Sequence, residues 1–197
     1  MALARALAPR PGLLLLDEPF SNLDAGLRHA TRGEVRAILR AGGTAAILVT
    51  HDQEEALAFS DRLLVMRGGQ VEQVGSPHEV YARPRTAFVA NFLGRSNLLG
   101  GTGEGLTALT ALGRVPLAEP AHGPVLVSVR PEHLALAREG EAGTAVTVLA
   151  REYRGHDTTY AVRLDAQELL VHDAGGEVYR EGEEVRVRVT RPGQPLR

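Results

Sequence analysis

Cysteine is absent from this sequence, which excludes a disulfide framework and thiol chemistry and fits a cytosolic protein. Aromatic residues make up only 4% of the chain and the formal net charge is −2. Nucleic-acid binding draws on a concentrated basic footprint and, for single strands, on stacking aromatics, so neither source of affinity is present. No run approaches the roughly 20 apolar residues of a membrane-spanning helix. The opening MALARALAPRPGLLLL imitates a secretory signal, but such a signal needs an apolar stretch of about 7 to 15 residues. Here Asp17 and Glu18 interrupt the run after four leucines. Direct membrane insertion is not expected, and any membrane association would go through a partner.

What is present is organised around Gly12 to Asp24, GLLLLDEPFSNLD. Leu13 to Leu16 are too continuous for a half-exposed strand and read as a parallel strand buried on both faces. Asp17 and Glu18 then stand at its carboxyl end, and Pro19 stops it. In open parallel sheets that end is where ligands bind, so the adjacent carboxylates are candidates for chemistry as well as for an acidic surface turn.

The rest of the chain has a regular punctuation. Ala2 to Ala8 read as a helix ended by Pro9 and Pro11. Leu27, Ala30, Val35, Ile38 and Leu39 recur at helical spacing until Gly42 and Gly43. Arg28, Arg32, Arg36 and Arg40 form the opposite stripe, read as a solvated face. Thr44 to Thr50 is a second buried strand ending at His51, followed by a helix capped by Asp52 with Glu55 reaching back. Leu63 to Met66 and Val71 to Val74 flank Gly68 and Gly69 as a hairpin. Ser76, Pro77 and Glu79 open a short helix, and Thr86 to Leu93 reads as another. After Gly94 the pattern becomes short alternating strands at Val125–Val129, Ala145–Leu149, Tyr160–Leu164, Leu169–Val171 and Val185–Val189, the spacing of a small antiparallel barrel with Tyr153, Tyr160 and Tyr179 in its core. This divides the chain into 1–94 and 95–197. His122, His133, His156 and His172 lack metal-ligand spacing.

LLLLDEP, SNLD and the strand ending Val49, Thr50, His51, Asp52 together resemble the Walker B segment, D-loop and switch histidine of ATP-binding cassette (ABC) ATPases, in that family's order. DRLLVMRGGQVEQVGSPHEVY and FVANFLG are similar to the ATPase subunits of bacterial importers, and VRPEHL with REYRGHDTTYAV resembles their C-terminal TOBE domain. The resemblance implies an α/β fold: part of a P-loop NTPase parallel sheet lacking its Walker A half, then a small all-β OB-like barrel. It implies ATP and Mg²⁺ as cofactors, with Asp17 holding Mg²⁺ through water, Glu18 polarising the attacking water, His51 contacting the γ-phosphate, and Ser21 and Asp24 in the D-loop. It also implies a homodimer of ATPase subunits beneath transmembrane permease subunits, on the cytoplasmic face of the inner membrane.

The departures carry equal weight. No G-x-x-x-x-G-K-[ST] occurs in these residues, so neither the phosphate-cradling backbone nor its lysine is present. The Q-loop and LSGGQ signature are also absent, and ALARAL resembles the segment just after that signature. The chain therefore reads as the C-terminal half of an ATPase and is expected neither to bind ATP tightly nor to hydrolyse it alone. In the family's sheet the strand leading into the P-loop lies between those of Ala45–Val49 and Leu63–Met66, so its loss leaves strand edges unpaired, a strand-exchange hazard. Met1 stands where the family usually has valine, and a GTG codon supplies both readings, so a misplaced start or a frameshift is expected upstream. The junction FVANFLGRSNLL resembles iron(III), polyamine and oxyanion importers more than sugar importers, with iron(III) ranked first. The rival reading is a non-catalytic TOBE module for ligand sensing or dimerisation on a degenerate ATPase half.

Overall fold

The computed structural model describes residues 2–138, 140, 142–174 and 178–196. Met1, on which the expectation about the start rests, lies outside them. The chain divides into two compact units, 1–80 and 81–197.

The first unit opens with α1 (Ala2–Leu7) and β1 (Leu13–Asp17), then α2 (Ala25–Ala41), β2 (Ala45–Val49) and α3 (Gln53–Phe59). β1 and β2 pair in parallel with Leu15 opposite Ile47 and Asp17 opposite Val49. The intervening helix makes this pairing possible, since parallel neighbours need a crossover of a dozen or more residues. α2 stops where Gly42 and Gly43 predict. Gly43 takes the left-handed φ of 62°, and its N–H and that of Gly42 return to the carbonyls of Arg40 and Ile38, closing the last turn. A hairpin follows, β3 (Leu63–Arg67) and β4 (Gln70–Gly75), turned by Gly68 and Gly69 at φ 56° and 79°. Two consecutive positive φ values are what a two-residue hairpin loop demands. α4 (Pro77–Ala82), whose last two residues belong to the second unit, begins with a reciprocal capping box: Ser76 N–H donates to Glu79 Oε2 at 2.8 Å and Glu79 N–H to Ser76 Oγ at 3.3 Å.

Two expectations are corrected here. β1 is covered on one face only. Leu14 packs with Phe20, Val35, Leu39 and Phe59, with Leu16 and Leu48 at the margin, whereas Leu15 is 70% exposed and Leu13, Ile47 and Val49 are exposed beside it. The period of two puts Leu13 and Leu15 on the opposite side from Leu14, and no described element of this unit covers that side. The helix stripe is likewise half used: Val35 and Leu39 are buried, Leu27 and Ile38 exposed. Among the described residues β2 pairs with β1 alone and β3 with β4 alone, so both sheets end on open edges.

The arginine stripe is the second correction. Arg28 Nη1 reaches Asp52 at 3.2 Å, and Arg36 and Arg40 converge on Asp61 Oδ1 at 3.0 and 2.6 Å. The stripe docks α2 onto the segment around α3 instead of facing solvent alone, and the two guanidiniums hold the Asp61 carboxyl below its ordinary pKa.

The second unit contains α5 (Ala87–Phe92) and antiparallel strands: β5 (Asn97–Thr110), β6 (Gly113–Val129), β7 (Leu134–Ala137), β8 (Thr144–Tyr153), β9 (Thr158–Leu164), β10 (Gln167–Asp173), β11 (Glu184–Val189) and β12 (Gln194–Leu196). Their order is β10-β9-β8-β11-β7 in one sheet and β12-β6-β5 in the other. Both sheets curl around one core that joins Leu99, Val115 and Val127 to Val148, Val162, Leu169 and Val187. Asn97 stitches the sheets together: Nδ2 donates to the Leu170 carbonyl and Oδ1 accepts the Leu170 N–H, both at 2.8 Å. Tyr160 and Tyr179 meet edge to face in the core, 5.8 Å between centroids. Tyr153, expected with them, is 65% exposed, at the end of β8 where its hydroxyl donates to the Gly155 carbonyl.

Candidate functional site

The carboxyl ends of β1 and β2 bring the predicted residues together. The ladder continues one residue beyond β1, with Glu18 N–H donating to the Val49 carbonyl at 2.9 Å. Glu18 is held at φ 44°, a left-handed conformation uncommon for a residue with a Cβ and a feature of functional turns. The Ser21 hydroxyl and N–H both return to the Glu18 carbonyl, at 2.9 and 3.3 Å, so Ser21 fixes the turn that carries Glu18.

From the neighbouring strand His51 reaches the same point, its Nδ1 2.8 Å from Glu18 Oε1. The carboxylate accepts, so Nδ1 carries the proton. The hydrogen bond and charge of Glu18, aided by Asp52 and Glu55, raise the His51 pKa above its ordinary value. Both side chains are open to solvent, where an isolated ion pair has little energetic weight. The pair is therefore a poised proton-bearing group more than a structural brace.

Asp17 and Asp24 stand differently. Asp17 ends β1 with an exposed side chain, adjacent to the Glu18–His51 pair in sequence. Asp24 Oδ1 accepts from Leu27 N–H at 3.0 Å as the N-cap of α2, so its carboxylate is engaged within the chain. Carboxylate oxygens at a strand end suit Mg²⁺, which keeps several waters and takes one or two carboxylates together with substrate phosphates. Among the described residues no group of three or more His, Asp or Glu could hold a metal by itself.

Behind the pair lies a support that the sequence reading left incomplete. Asp52 caps α3 through Glu55 N–H at 3.0 Å, but the Glu55 carboxylate does not reach back as a capping box would. It accepts from Thr50 Oγ1 at 2.7 Å, and Thr50 Oγ1 in turn accepts the Asp52 N–H at 3.0 Å. Thr50 is thus inserted into the box, and Glu55, 2% exposed, is buried because that hydroxyl satisfies it. Arg28 closes the ring, donating to Asp52 and to the Leu23 carbonyl at 3.0 Å. The legible signal was a threonine two residues before the cap. Only the fold brings Arg28 to it.

Residues 127–192 match the TOBE domain family. Over almost its whole length the chain is similar to import ATP-binding proteins. It is 43% identical to the Fe(3+) ions import ATP-binding protein FbpC 1 of Rhodococcus jostii, over 96% of this chain and 56% of that protein. It is 45% identical to the spermidine/putrescine import ATP-binding protein PotA 1 of Pseudomonas aeruginosa, over 91% and 52%. The chain is homologous to part of the ATP-binding subunits of ABC importers. It is also 41% identical to the sn-glycerol-3-phosphate import ATP-binding protein UgpC of Cereibacter sphaeroides, over 95% of this chain and 54% of that protein. The chain spans about half the length of the curated relatives it matches. Among the described residues of this ABC importer homologue, no helix is long and apolar enough to cross a membrane.

Proposed function

We propose that this chain supplies the water-activating side of an ATP-hydrolysing importer subunit, and that iron(III) is the solute. The observation that carries the reading is the Glu18–His51 pair, 2.8 Å apart at the carboxyl ends of two parallel strands. Phosphoryl transfer asks for a group that orients water in line and for positive charge on the phosphate oxygens. Glu18, pointed by its turn, orients the water. His51, whose pKa Glu18 raises, contacts the terminal phosphate. Asp17 would hold Mg²⁺, which would neutralise charge on the phosphates.

The exposed faces of β1 and β2 and their open edges support a working form in which further polypeptide completes this sheet and brings the phosphate-binding backbone absent from these residues. That form is proposed as a homodimer on the cytoplasmic face of the inner membrane, with permease subunits as partners. Iron(III) is supported by the names of several relatives, among them those of Rhodococcus jostii, Pectobacterium atrosepticum and Streptomyces avermitilis.

The test is twofold. Purified chain should show no Mg²⁺-dependent ATP hydrolysis, and hydrolysis by the chain alone, lost in Glu18→Gln, would refute the need for a second component. Deleting the gene should impair growth on limiting iron; normal iron uptake in that strain would remove iron(III) as the solute. A second reading, a ligand-sensing barrel without catalysis, draws on the closed core of the second unit and on a polar cleft of about 360 Å³ lined by Asn91, Arg95, Ser96, Gln167 and Glu168. Retention of transport in Glu18→Gln would favour it.

A further inference from the structure

Arg130, in the middle of VRPEHL, is 3% exposed, although arginine is almost never fully buried without partners. Its acceptors are backbone carbonyls, and all come from one stretch. Nη1 donates to Ala90 at 2.7 Å and to Gly94 at 2.9 Å, and Nη2 to Tyr81 at 2.9 Å; Nε is buried without an acceptor. Tyr81 lies in the last turn of α4, Ala90 in the last turn of α5, and Gly94 just beyond. The last carbonyls of a helix have no intrahelical donor and carry the negative end of its dipole, so a cation there is favoured on two counts.

The surroundings reinforce the arrangement. The guanidinium carbon sits 4.0 Å from the centroid of the Tyr81 ring, within cation–π range. The Tyr81 hydroxyl donates to Glu132 Oε1 at 2.8 Å, and burial, with that bond, pushes its pKa up to about 12. Gly94, whose carbonyl takes part in the arrangement, stands at φ 142°, a backbone conformation that residues with a Cβ rarely adopt.

We propose that Arg130 is a positioning residue that caps the C-termini of α4 and α5 together, and thereby makes residues 81–94 a working part of the barrel unit, well upstream of the matched 127–192 span. Glu132 fixes Tyr81 against the guanidinium, so two residues of one short motif hold a strap of two helix ends. The geometry requires arginine, because a lysine ammonium has no planar fork with which to reach carbonyls on separate turns.

Hydrogen exchange on the full chain tests this. In Arg130→Met, amide exchange in peptides covering 82–94 should rise about tenfold or more, the scale of losing charged hydrogen bonds, while peptides covering 158–173 keep wild-type rates. Unchanged protection of 82–94, or an equal rise in 158–173, would overturn the assignment. Arg130→Lys should behave like Arg130→Met, and wild-type rates in it would show that charge alone suffices and the shared cap is wrong. Tyr81→Phe and Glu132→Ala keep the guanidinium and lose one bond at its rim, so they carry the test if Arg130→Met does not fold. Each should raise exchange in 82–94 by about threefold, and no change in either would remove Tyr81 and Glu132 from the clamp.

Discussion

The two units use apolar residues in opposite ways. In residues 1–80 the alternate positions of β1 and β2 are split between a small core around Phe20 and an uncovered face carrying Leu13, Leu15, Ile47 and Val49. In residues 81–197 the inward positions of both sheets meet in one core, and Val127, Val162, Leu169 and Val171 are wholly buried. A strand with an apolar outer face is built to be covered by something else. The unit bearing the candidate chemistry leaves one apolar face uncovered by its own described residues, whereas the barrel closes on itself.

The comparison breaks most readily at the junction. A piece beginning at Tyr81 should fold, and one beginning at Arg95 should be less stable by roughly 3 kcal/mol or more, the order of cost for a buried charge stripped of its partners. Equal urea midpoints for the two pieces would show that 81–94 adds nothing. Leu169→Ala should cost the barrel about 2–5 kcal/mol as a cavity opens, against a change within about 0.5 kcal/mol for Leu15→Ala. All four tyrosines lie at 81 or beyond, so tyrosine fluorescence reads the barrel transition. A large effect of Leu15→Ala on the first unit, read by far-ultraviolet circular dichroism, would mean that its outer face is covered.

Smaller effects sharpen the description of the first unit. Asp52→Ala removes the α3 cap and the Arg28 partner and should cost about 1 kcal/mol, seen as faster exchange of the Glu55 and Ala56 amides. Glu18→Gln should bring the His51 pKa down toward its ordinary value, measured by nuclear magnetic resonance titration. The sign follows from a folded pKa raised above the unfolded one. The pair's stabilisation is fully present below pH 6.5 and fades as pH rises through the raised value. A His51 titration unaffected by Glu18→Gln would dissolve the pair.

Much of this was legible because it is local. The capping residues Asp52 and Ser76 each bond where the spacing places them, and Gly68–Gly69 makes its hairpin. The barrel strands read from alternation are β8 to β11 and the end of β6. β5 and most of β6 were missed because Gly100, Gly101, Gly103 and Gly105, with Pro116, Pro120 and Pro124, imitate loop composition. Gly103 serves a different end: a Cβ there would stand 2.6 Å from the Ala121 carbonyl oxygen, so glycine admits the close strand.

The candidate site divides along the same line. The sequence by itself determined that Asp17 and Glu18 end one parallel strand and His51 follows another, because periodicity and turn chemistry act over a few residues. It also carried the resemblance of these motifs to those of ABC ATPases, and it contains no G-x-x-x-x-G-K-[ST]. Only the tertiary structure decided that His51 Nδ1 meets Glu18, that Thr50 and Arg28 complete the support, and that Arg130 gathers carbonyls from Tyr81, Ala90 and Gly94. Such contacts join residues far apart in the chain. Their existence rests on strand register and on the need of buried polar groups for partners, neither of which leaves a mark at fixed spacing.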